Sequence, residues 1–152
     1  MSSEDGRECD PIEILLVEPS PGDTRLFTES FEDAKIRNSI HAVSDGEEAL
    51  DFVYRRGEHA DSPRPDLVLL EPQLPGDDGM AVLSELNNEP LLADVPVVIL
   101  TSSDLGEEIV KSHGLEADHY IRKPVAPDEF IRFAQSVERF WISIVRRSST
   151  AD

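Results

Sequence analysis

Five short apolar runs, each bounded by turn-forming residues, alternate along this chain with amphipathic stretches, and this alternation restricts the possible folds most. The runs are IEILLV (12–17), SIHAVS (39–44), DLVLL (66–70), VPVVIL (95–100) and ADHYI (117–121). Such runs predict β-strands, and the stretches between them predict helices. Strands that alternate with helices form a parallel sheet covered on both faces. The sequence therefore predicts a doubly wound α/β domain.

Helix-start signals support this interpretation. Ser20-Pro21-Gly22-Asp23 places a capping serine before a proline at the first helical position, and Asp45-Gly46-Glu47-Glu48 opens a second helix. Residues 79–88 and 104–112 predict a third and a fourth helix. The last helix has one wide apolar stripe, made of Phe130, Phe133, Ala134, Val137, Phe140, Trp141, Ile144 and Val145.

The chain has 152 residues, which fits one domain. We expect a disordered tail at 1–10, a domain at 11–146 and a flexible end at 147–152. No stretch approaches the roughly 20 apolar residues that cross a bilayer. The N-terminus, MSSEDGRECD, lacks the apolar segment of a signal peptide. These features predict a cytoplasmic protein without a membrane partner.

The charge balance excludes one class of partner. There are 32 Asp plus Glu against 14 Lys plus Arg, a net charge of −18. Such a chain repels nucleic acid, whose binding needs a basic surface. A strongly acidic, lysine-poor surface favours a halophilic source, where salt screens self-repulsion; an ordinary acidic domain is the alternative. Cys9 is the only cysteine, so no intramolecular disulfide can form.

Polar residues follow four of the five predicted strands. Glu18 follows the first, Glu71 the third, Thr101 the fourth, and Lys123 comes shortly after the fifth. In doubly wound sheets the site lies beyond the carboxyl ends of the strands. Each residue alone has an ordinary structural explanation, such as a helix cap or a solvated charge. Four of them at one edge indicate a functional site.

Several stretches resemble a known family. They are ILLVEPSPGD, SDGEEALDFVYRRGE, RPDLVLLEPQLPGDDG, VPVVILTSSD, YIRKP and FWISIVRR. The chain resembles a response-regulator receiver domain over about residues 12–145, and within that family the single-domain receivers of phytochrome-type and archaeal sensor kinases. The resemblance implies a flavodoxin-like five-stranded parallel sheet of order 2-1-3-4-5 with five helices. It also implies a two-component phosphorelay whose partner is a sensor histidine kinase or another signalling protein.

The family's chemistry is attack of a carboxylate on phosphorus, assisted by Mg²⁺. The resemblance assigns Glu71 to the acceptor position, Thr101 and Lys123 to the groups that bind phosphoryl oxygens, and Thr101 and Tyr120 to the conformational switch. It assigns Glu18, Glu71 and the backbone carbonyl of Gln73 to the metal. It also implies a cis Lys123–Pro124 bond, because X–Pro bonds adopt cis at low cost.

Two positions depart from the family pattern. Glu71 replaces the acceptor Asp, and Pro19 replaces one of two paired acids. Mg²⁺ needs nearly ideal octahedral ligands at about 2 Å, and an added methylene moves the acceptor oxygens by about 1.5 Å. Misplacement of this order can cost roughly 10²-fold in rate. We therefore expect the Mg²⁺ site to be weak or absent. We also expect that Glu71 is not phosphorylated in the normal way.

Two interpretations of Glu71 stay open. In the first, Glu71 pairs with Lys123 and imitates the phosphorylated state. In the second, the site is degraded and merely keeps the fold. A working phosphoacceptor with weakened Mg²⁺ binding is an alternative function. A flavodoxin-like nucleotide- or flavin-binding protein is a further one, although no phosphate-binding glycine motif occurs.

The sequence shows no enzymatic output domain, so we expect a non-enzyme that acts by protein–protein contact. Phe140 and Trp141 stand side by side near the end of the last helix. Similar receivers pair through their last two helices, which predicts a homodimer; a longer core helix is the alternative. The four histidines show no zinc-ligand spacing.

Overall fold

The computed structural model describes residues 11–32, 34, 37–74, 78–101, 106–124 and 126–150. Within these ranges the strands are β1 (Ile12–Val17), β2 (Asn38–Val43), β3 (Leu67–Leu70), β4 (Val97–Thr101) and β5 (His119–Arg122). The helices are α1 (Pro21–Glu32), α2 (Gly46–Tyr54), α3 (Asp78–Asn88), α4 (Gly106–Ser112) and α5 (Pro127–Thr150), with a 3-10 turn at Gly57–His59. The predicted alternation of strands and helices is confirmed.

The strands form one parallel sheet in the order β2-β1-β3-β4-β5, which confirms the implied order 2-1-3-4-5. Val17 pairs with both Val43 and Leu70, and Thr101 pairs with Arg122. These five residues are the last of their strands. The carboxyl ends of all five strands therefore meet at one edge of the sheet, where the site is expected.

The predicted capping signals form as hydrogen bonds. Ser20 Oγ accepts from the Asp23 N–H at 3.3 Å at the start of α1. Asp45 Oδ1 accepts from the Glu48 N–H at 2.8 Å at the start of α2, and Glu48 Oε1 accepts in return from the Ser44 N–H at 3.2 Å. This reciprocal pair satisfies backbone donors that a helix start leaves free. Positions 104 and 105, predicted to begin the fourth helix, lie outside the described residues.

Strands β4 and β5 each begin two residues later than predicted, and Asp118 explains both starts. Its N–H donates to the Val97 carbonyl at 2.9 Å, and its side chain accepts from the Val97 N–H at 2.7 Å. This exchange closes the ladder just before β5 begins at His119. The segment before Val97 belongs instead to a turn, in which the Val95 N–H donates to the Leu92 carbonyl at 3.0 Å.

The core consists of two apolar layers, one on each face of the sheet. Alternate strand residues such as Val17 and Leu70 pack with α2, α3 and α4, and their neighbours such as Leu16 and Leu69 pack with α1 and α5. All four residues of β3 are fully buried. This strand is covered on both faces, as the continuous apolar run 66–70 indicated.

Helix α5 extends beyond the sheet. Phe130, Phe133, Ala134 and Val137 are buried, whereas Phe140 is partly buried and its ring lies parallel to that of His119, with centroids 5.0 Å apart. The helix continues to Thr150, past residue 146, where the domain was predicted to end. Residues 147–150 are therefore helical, and their flexibility stays a prediction. The predicted tail at 1–10 lies outside the described residues, as do 151–152.

In the part of the chain that the structure describes, no helix combines the length and apolar character needed to cross a bilayer.

Candidate functional site

Of the four strand-end residues singled out in the sequence, Glu18, Glu71 and Lys123 directly follow β1, β3 and β5. The fourth, Thr101, is the last residue of β4, and the carboxyl ends of these four strands are adjacent in the sheet. Glu18 and Glu71 are the two buried charged residues of the described chain, with 1% and 4% of their surface exposed. Burial of a carboxylate is costly unless it is paired. Their partners therefore determine what the site can do.

Glu18 is held from two sides. Its Oε2 accepts from the Ser20 N–H at 3.0 Å, and its Oε1 lies 2.8 Å from Lys123 Nζ. At this distance Glu18 Oε1 and Lys123 Nζ form an ion pair. Both oxygens of this buried carboxylate are thus already engaged within the chain.

Lys123 has a second partner that sequence reasoning missed. Its Nζ lies 3.1 Å from Asp23 Oδ2, in the first turn of α1. Burial alone lowers the pKa of Lys123, but Glu18 and Asp23 raise it more, so the net shift is upward. The sequence pattern indicates for Asp23 only a place at the start of a helix. Its place in the helix that directly follows β1, at the same sheet edge, is the signal that could have identified it.

Glu71 is the poorly satisfied member of the site. Its carboxylate accepts a backbone hydrogen bond from Gln73, while Oε2 is buried with no hydrogen-bond partner among the described residues. Burial raises the pKa of Glu71 above its ordinary value; the Lys123 charge opposes the shift, and Glu18 adds to it. Glu71 therefore takes up a proton more readily than an ordinary glutamate.

The interpretation that Glu71 pairs with Lys123 is wrong. Both residues are described, and the ion pairs of Lys123 are with Glu18 and Asp23. Glu71 influences Lys123 only as a nearby charge. The reason is that two other carboxylates already hold the ammonium. The side chain of Thr101 lies outside what the structure describes, so its predicted contacts stay predictions.

Tyr120, the predicted switch, lies in β5 opposite Ile99. Its ring is partly buried and packs against the apolar layer on the face covered by α2, α3 and α4. Burial raises the pKa of its phenol, with Glu107 contributing in the same direction. A partly buried ring at this position is compatible with a rotating switch, and that role stays a prediction.

The loop after β3 is held closely to α3. A Cβ added to Gly79, near the start of α3, would lie 2.3 Å from the Pro72 carbonyl oxygen. Only glycine allows this close approach. Because Pro72 directly follows Glu71, the contact helps to fix the chain where it leaves the acceptor position. Residues 75–77, which complete the loop, lie outside the described residues.

The residues present do not fit a Mg²⁺ site well. Within the described ranges Glu71 Oε2 has no hydrogen-bond partner and is available as a ligand. Glu18, however, is engaged by Lys123 and Ser20, and Pro19 supplies no carboxylate. Among the described residues, no group of three or more His, Cys, Asp or Glu is placed to hold a metal ion. Mg²⁺ requires a nearly complete octahedron of oxygen ligands.

The implied cis bond is also corrected. No peptide bond within the described residues is cis, so Lys123–Pro124 is trans. Trans is the lower-energy isomer of an X–Pro bond by about 0.5–1 kcal/mol.

The geometry of the sheet agrees with comparisons to known proteins. A family model described as "Response regulator receiver domain" matches residues 14–135. The chain belongs to this family. The receiver assignment made from the motifs is confirmed, and the nucleotide- or flavin-binding alternative is set aside.

Two curated relatives match over nearly their whole length. Response regulator Rcp1 of Synechocystis sp. is 36% identical over 135 residues, covering 89% of this chain and 92% of that protein. The probable methanogenesis regulatory protein FilR2 of Methanothrix harundinacea is 31% identical over 133 residues, covering 88% of this chain and 85% of that protein.

Solved structures agree. The phosphorylated cyanobacterial phytochrome response regulator RcpA is 34% identical with a TM-score of 0.79, covering 89% of this chain and 96% of that one. The Mn²⁺-bound form of Rcp1 is 37% identical with a TM-score of 0.76, covering 86% and 94%. The receiver fold is thus shown by both sequence and structure.

Proposed function

We propose that this receiver transmits its signal by protein–protein contact, in a pathway with a phytochrome-type or similar sensor kinase, and that its strand-end site is not phosphorylated in the normal way. The resemblance to Rcp1 and RcpA supports the pathway. The observation that carries the proposal about the site is the engagement of Lys123 by Glu18 and Asp23. The ammonium expected to bind phosphoryl oxygens is already neutralised by two carboxylates.

The position of Glu71 adds a second obstacle. Its carboxylate stands where an aspartate would accept the phosphoryl group, but it is buried and its pKa is raised. The raised pKa lowers the fraction of Glu71 that is ionised at a given pH, and only the ionised carboxylate is a good nucleophile or attracts a metal ion. Both effects reduce acyl-phosphate formation at this position.

A second candidate function rests on one specific observation. Glu71 Oε2 has no hydrogen-bond partner among the described residues, so this oxygen is not committed to a structural contact. Such an oxygen could attack a phosphodonor if one reached it. A working but weak phosphoacceptor at Glu71 is therefore the alternative.

One experiment separates the two candidates. The protein is incubated with Mg²⁺ and a small phosphodonor in high salt, and intact mass is measured. The matched control is the Glu71→Asp, Pro19→Asp double variant, which restores the family's acids. We expect phosphoryl mass on the double variant only. Equal labelling of the natural chain contradicts the proposal and supports the alternative.

We also propose a homodimer that uses the last two helices, α4 and α5. Trp141 and Ile144 lie eleven residues beyond Phe130 and Phe133, so they continue the buried stripe of α5 on the same face. Phe130 and Phe133 are buried by the sheet, whereas Trp141 and Ile144 are only partly covered. A second copy of the chain would bury this continuation.

The test of the dimer is light scattering on size-separated protein. We expect a mass of two chains for the natural protein and of one chain for Trp141→Ala. The control is Ile131→Ala, which removes a side chain that is 56% exposed on another face of α5. A monomeric natural chain, or equal dissociation by both variants, contradicts the proposed dimer.

A further inference from the structure

The ammonium of Lys123 occupies a well-defined position between two carboxylates. It lies 2.8 Å from Glu18 Oε1 and 3.1 Å from Asp23 Oδ2. The Lys123 side chain is 16% exposed and that of Glu18 is fully buried. Charges at these distances interact strongly, because little water remains to screen them.

Hydrogen bonds hold the segment around this ammonium in place. Ser20 donates its N–H to Glu18 Oε2 at 3.0 Å and accepts the Asp23 N–H on its Oγ at 3.3 Å. The turn from the end of β1 into α1 thereby orients both carboxylates. Asp23 reaches the site from the helix and not from the strand end.

The charges explain why this arrangement is needed. Glu18 is buried and requires a nearby cation, and Pro19 offers no second carboxylate with which Glu18 could share a metal ion. Lys123, at the end of β5, is the cation that the described chain brings to it. Asp23 adds a second negative charge, which attracts the ammonium of Lys123 toward the start of α1 and holds it there.

We infer that Lys123 serves as the built-in cation of the strand-end site, and that Asp23, in place of the acid missing at Pro19, is the positioning residue that holds it there. This inference rests on the proposed function and specifies how the site is kept without a divalent metal ion. A metal ion must displace the ammonium to reach Glu18 Oε1. Asp23 thus makes the site prefer the ammonium of Lys123 to a divalent metal ion.

The first test is a Mn²⁺ titration followed by the electron paramagnetic resonance signal of free Mn²⁺. Three proteins are compared: the natural chain, Lys123→Met, and Lys111→Met. The last is a matched control, because Lys111 also forms an ion pair, 2.6 Å from Glu107, but is exposed and lies on α4. We expect Lys123→Met to bind Mn²⁺ at least roughly tenfold more tightly than the other two, since a competing unit charge is removed.

The second test examines Asp23 in the metal-free protein. Ammonium protons that are held by carboxylates exchange slowly with water and give a detectable nuclear magnetic resonance signal. With three lysines in the chain, the Lys123 signal is readily assigned. We expect this signal in the natural chain, its loss in Asp23→Asn, and its return in Asp23→Glu. Glutamate keeps the negative charge, so the return of the signal shows that the charge holds the ammonium, which a merely structural role of Asp23 would not predict.

Several outcomes overturn the inference. One is that Lys123→Met binds Mn²⁺ no more tightly than the natural chain does. Another is that the ammonium signal is unchanged in Asp23→Asn. If Lys123→Met does not fold, tight Mn²⁺ binding by the natural chain, or an absent ammonium signal, still overturns it. Weak binding together with that signal supports it.

The proposed function fails under different results. Phosphoryl mass gained by the natural chain in the presence of a chelator overturns the proposed function and leaves Lys123 as the built-in cation. Mn²⁺ binding by the natural chain that is as tight as by Lys123→Met, without any gain of phosphoryl mass, overturns the role of Lys123 and leaves the proposed function.

Discussion

The hydroxyl of Tyr54 donates a hydrogen bond to the carboxylate of Glu85 and so joins α2 to α3 across the surface of the domain. The two helices also meet in the apolar layer beneath, where Phe52 and Leu83 are buried. This hydrogen bond, with burial adding to it, raises the pKa of Tyr54 to about 12. The neutral phenol is the donor, so the bond lasts only while the phenol keeps its proton.

We expect the Tyr54 contact to stabilise the fold below pH 10 and to be lost as the pH rises through about 12. The sign follows from a folded-state pKa above the unfolded value of about 10. Ultraviolet titration of the folded chain should show one phenol ionising at about 12. Tyr54→Phe should remove that step and cost roughly 1 kcal/mol at neutral pH. If Tyr120→Phe removes the same step instead, the assignment to Tyr54 is wrong.

Glu71→Gln should stabilise the domain at neutral pH, by on the order of 1 kcal/mol, because it removes a buried charge, one oxygen of which has no hydrogen-bond partner among the described residues. The folded-state pKa of Glu71 is raised, so its stabilising contribution is complete below about pH 4.3, where an ordinary glutamate titrates, and falls as the pH rises. Urea unfolding at several pH values measures this.

The control for this change is Glu47→Gln, the same substitution at an exposed position of α2. We expect Glu71→Gln to flatten the loss of stability above about pH 4.3 and Glu47→Gln to leave it unchanged. Equal curves for the natural chain and Glu71→Gln would show that the Glu71 carboxyl is adequately solvated or paired in solution.

Gly79→Ala should destabilise the domain by about 1–3 kcal/mol, because the new methyl group overlaps the Pro72 carbonyl and forces α3 or the loop to move. Gly22→Ala is the matched control in the first turn of α1, where the nearest atom lies 4.0 Å from an added Cβ. We expect the control to be neutral or stabilising by up to about 1 kcal/mol. Thermal unfolding measures both, and equal effects would contradict the close contact.

Phe27→Ala should cost about 3–5 kcal/mol, because the ring is fully buried between α1 and α5. Its centroid lies 4.8 Å from that of Phe130 and 4.9 Å from that of Phe133. Ile131→Ala, on the exposed side of α5, should change stability by no more than about 0.5 kcal/mol. A loss below about 1 kcal/mol for Phe27→Ala would mean that this cluster repacks without a cavity.

The sheet could be predicted from the sequence because its signals are local. The run 12–17 coincides with β1, and Ser20 and Asp45 cap the helices that they were predicted to start. Strand order followed from family motifs, not from the periodicity of the chain. The late start of β4 could not be foreseen, because it depends on Asp118, a contact across 21 residues.

The sequence predicts which residues lie together in the site, but not which of them are in contact. The edge shared by Glu18, Glu71 and Lys123 follows from strand ends in a parallel sheet. Which carboxylate the ammonium contacts is a matter of about an ångström, and it is decided by how α1 starts, through Ser20 and Asp23. No pattern in the sequence encodes that distance, so the sequence alone could not decide between the two interpretations of Glu71.

The contact between Asp23 and Lys123 also has a consequence for the order in which the chain folds. It joins a residue of the first helix to one that follows the last strand, so the loop that it closes spans most of the domain, and contacts of this separation form slowly. Until β5 is in place, Glu18 has no ammonium beside it. A chain that is truncated before β5 therefore leaves the Glu18 charge uncompensated at the end of β1. We expect the unit formed by β5 and α5 to be indispensable for a stable fold.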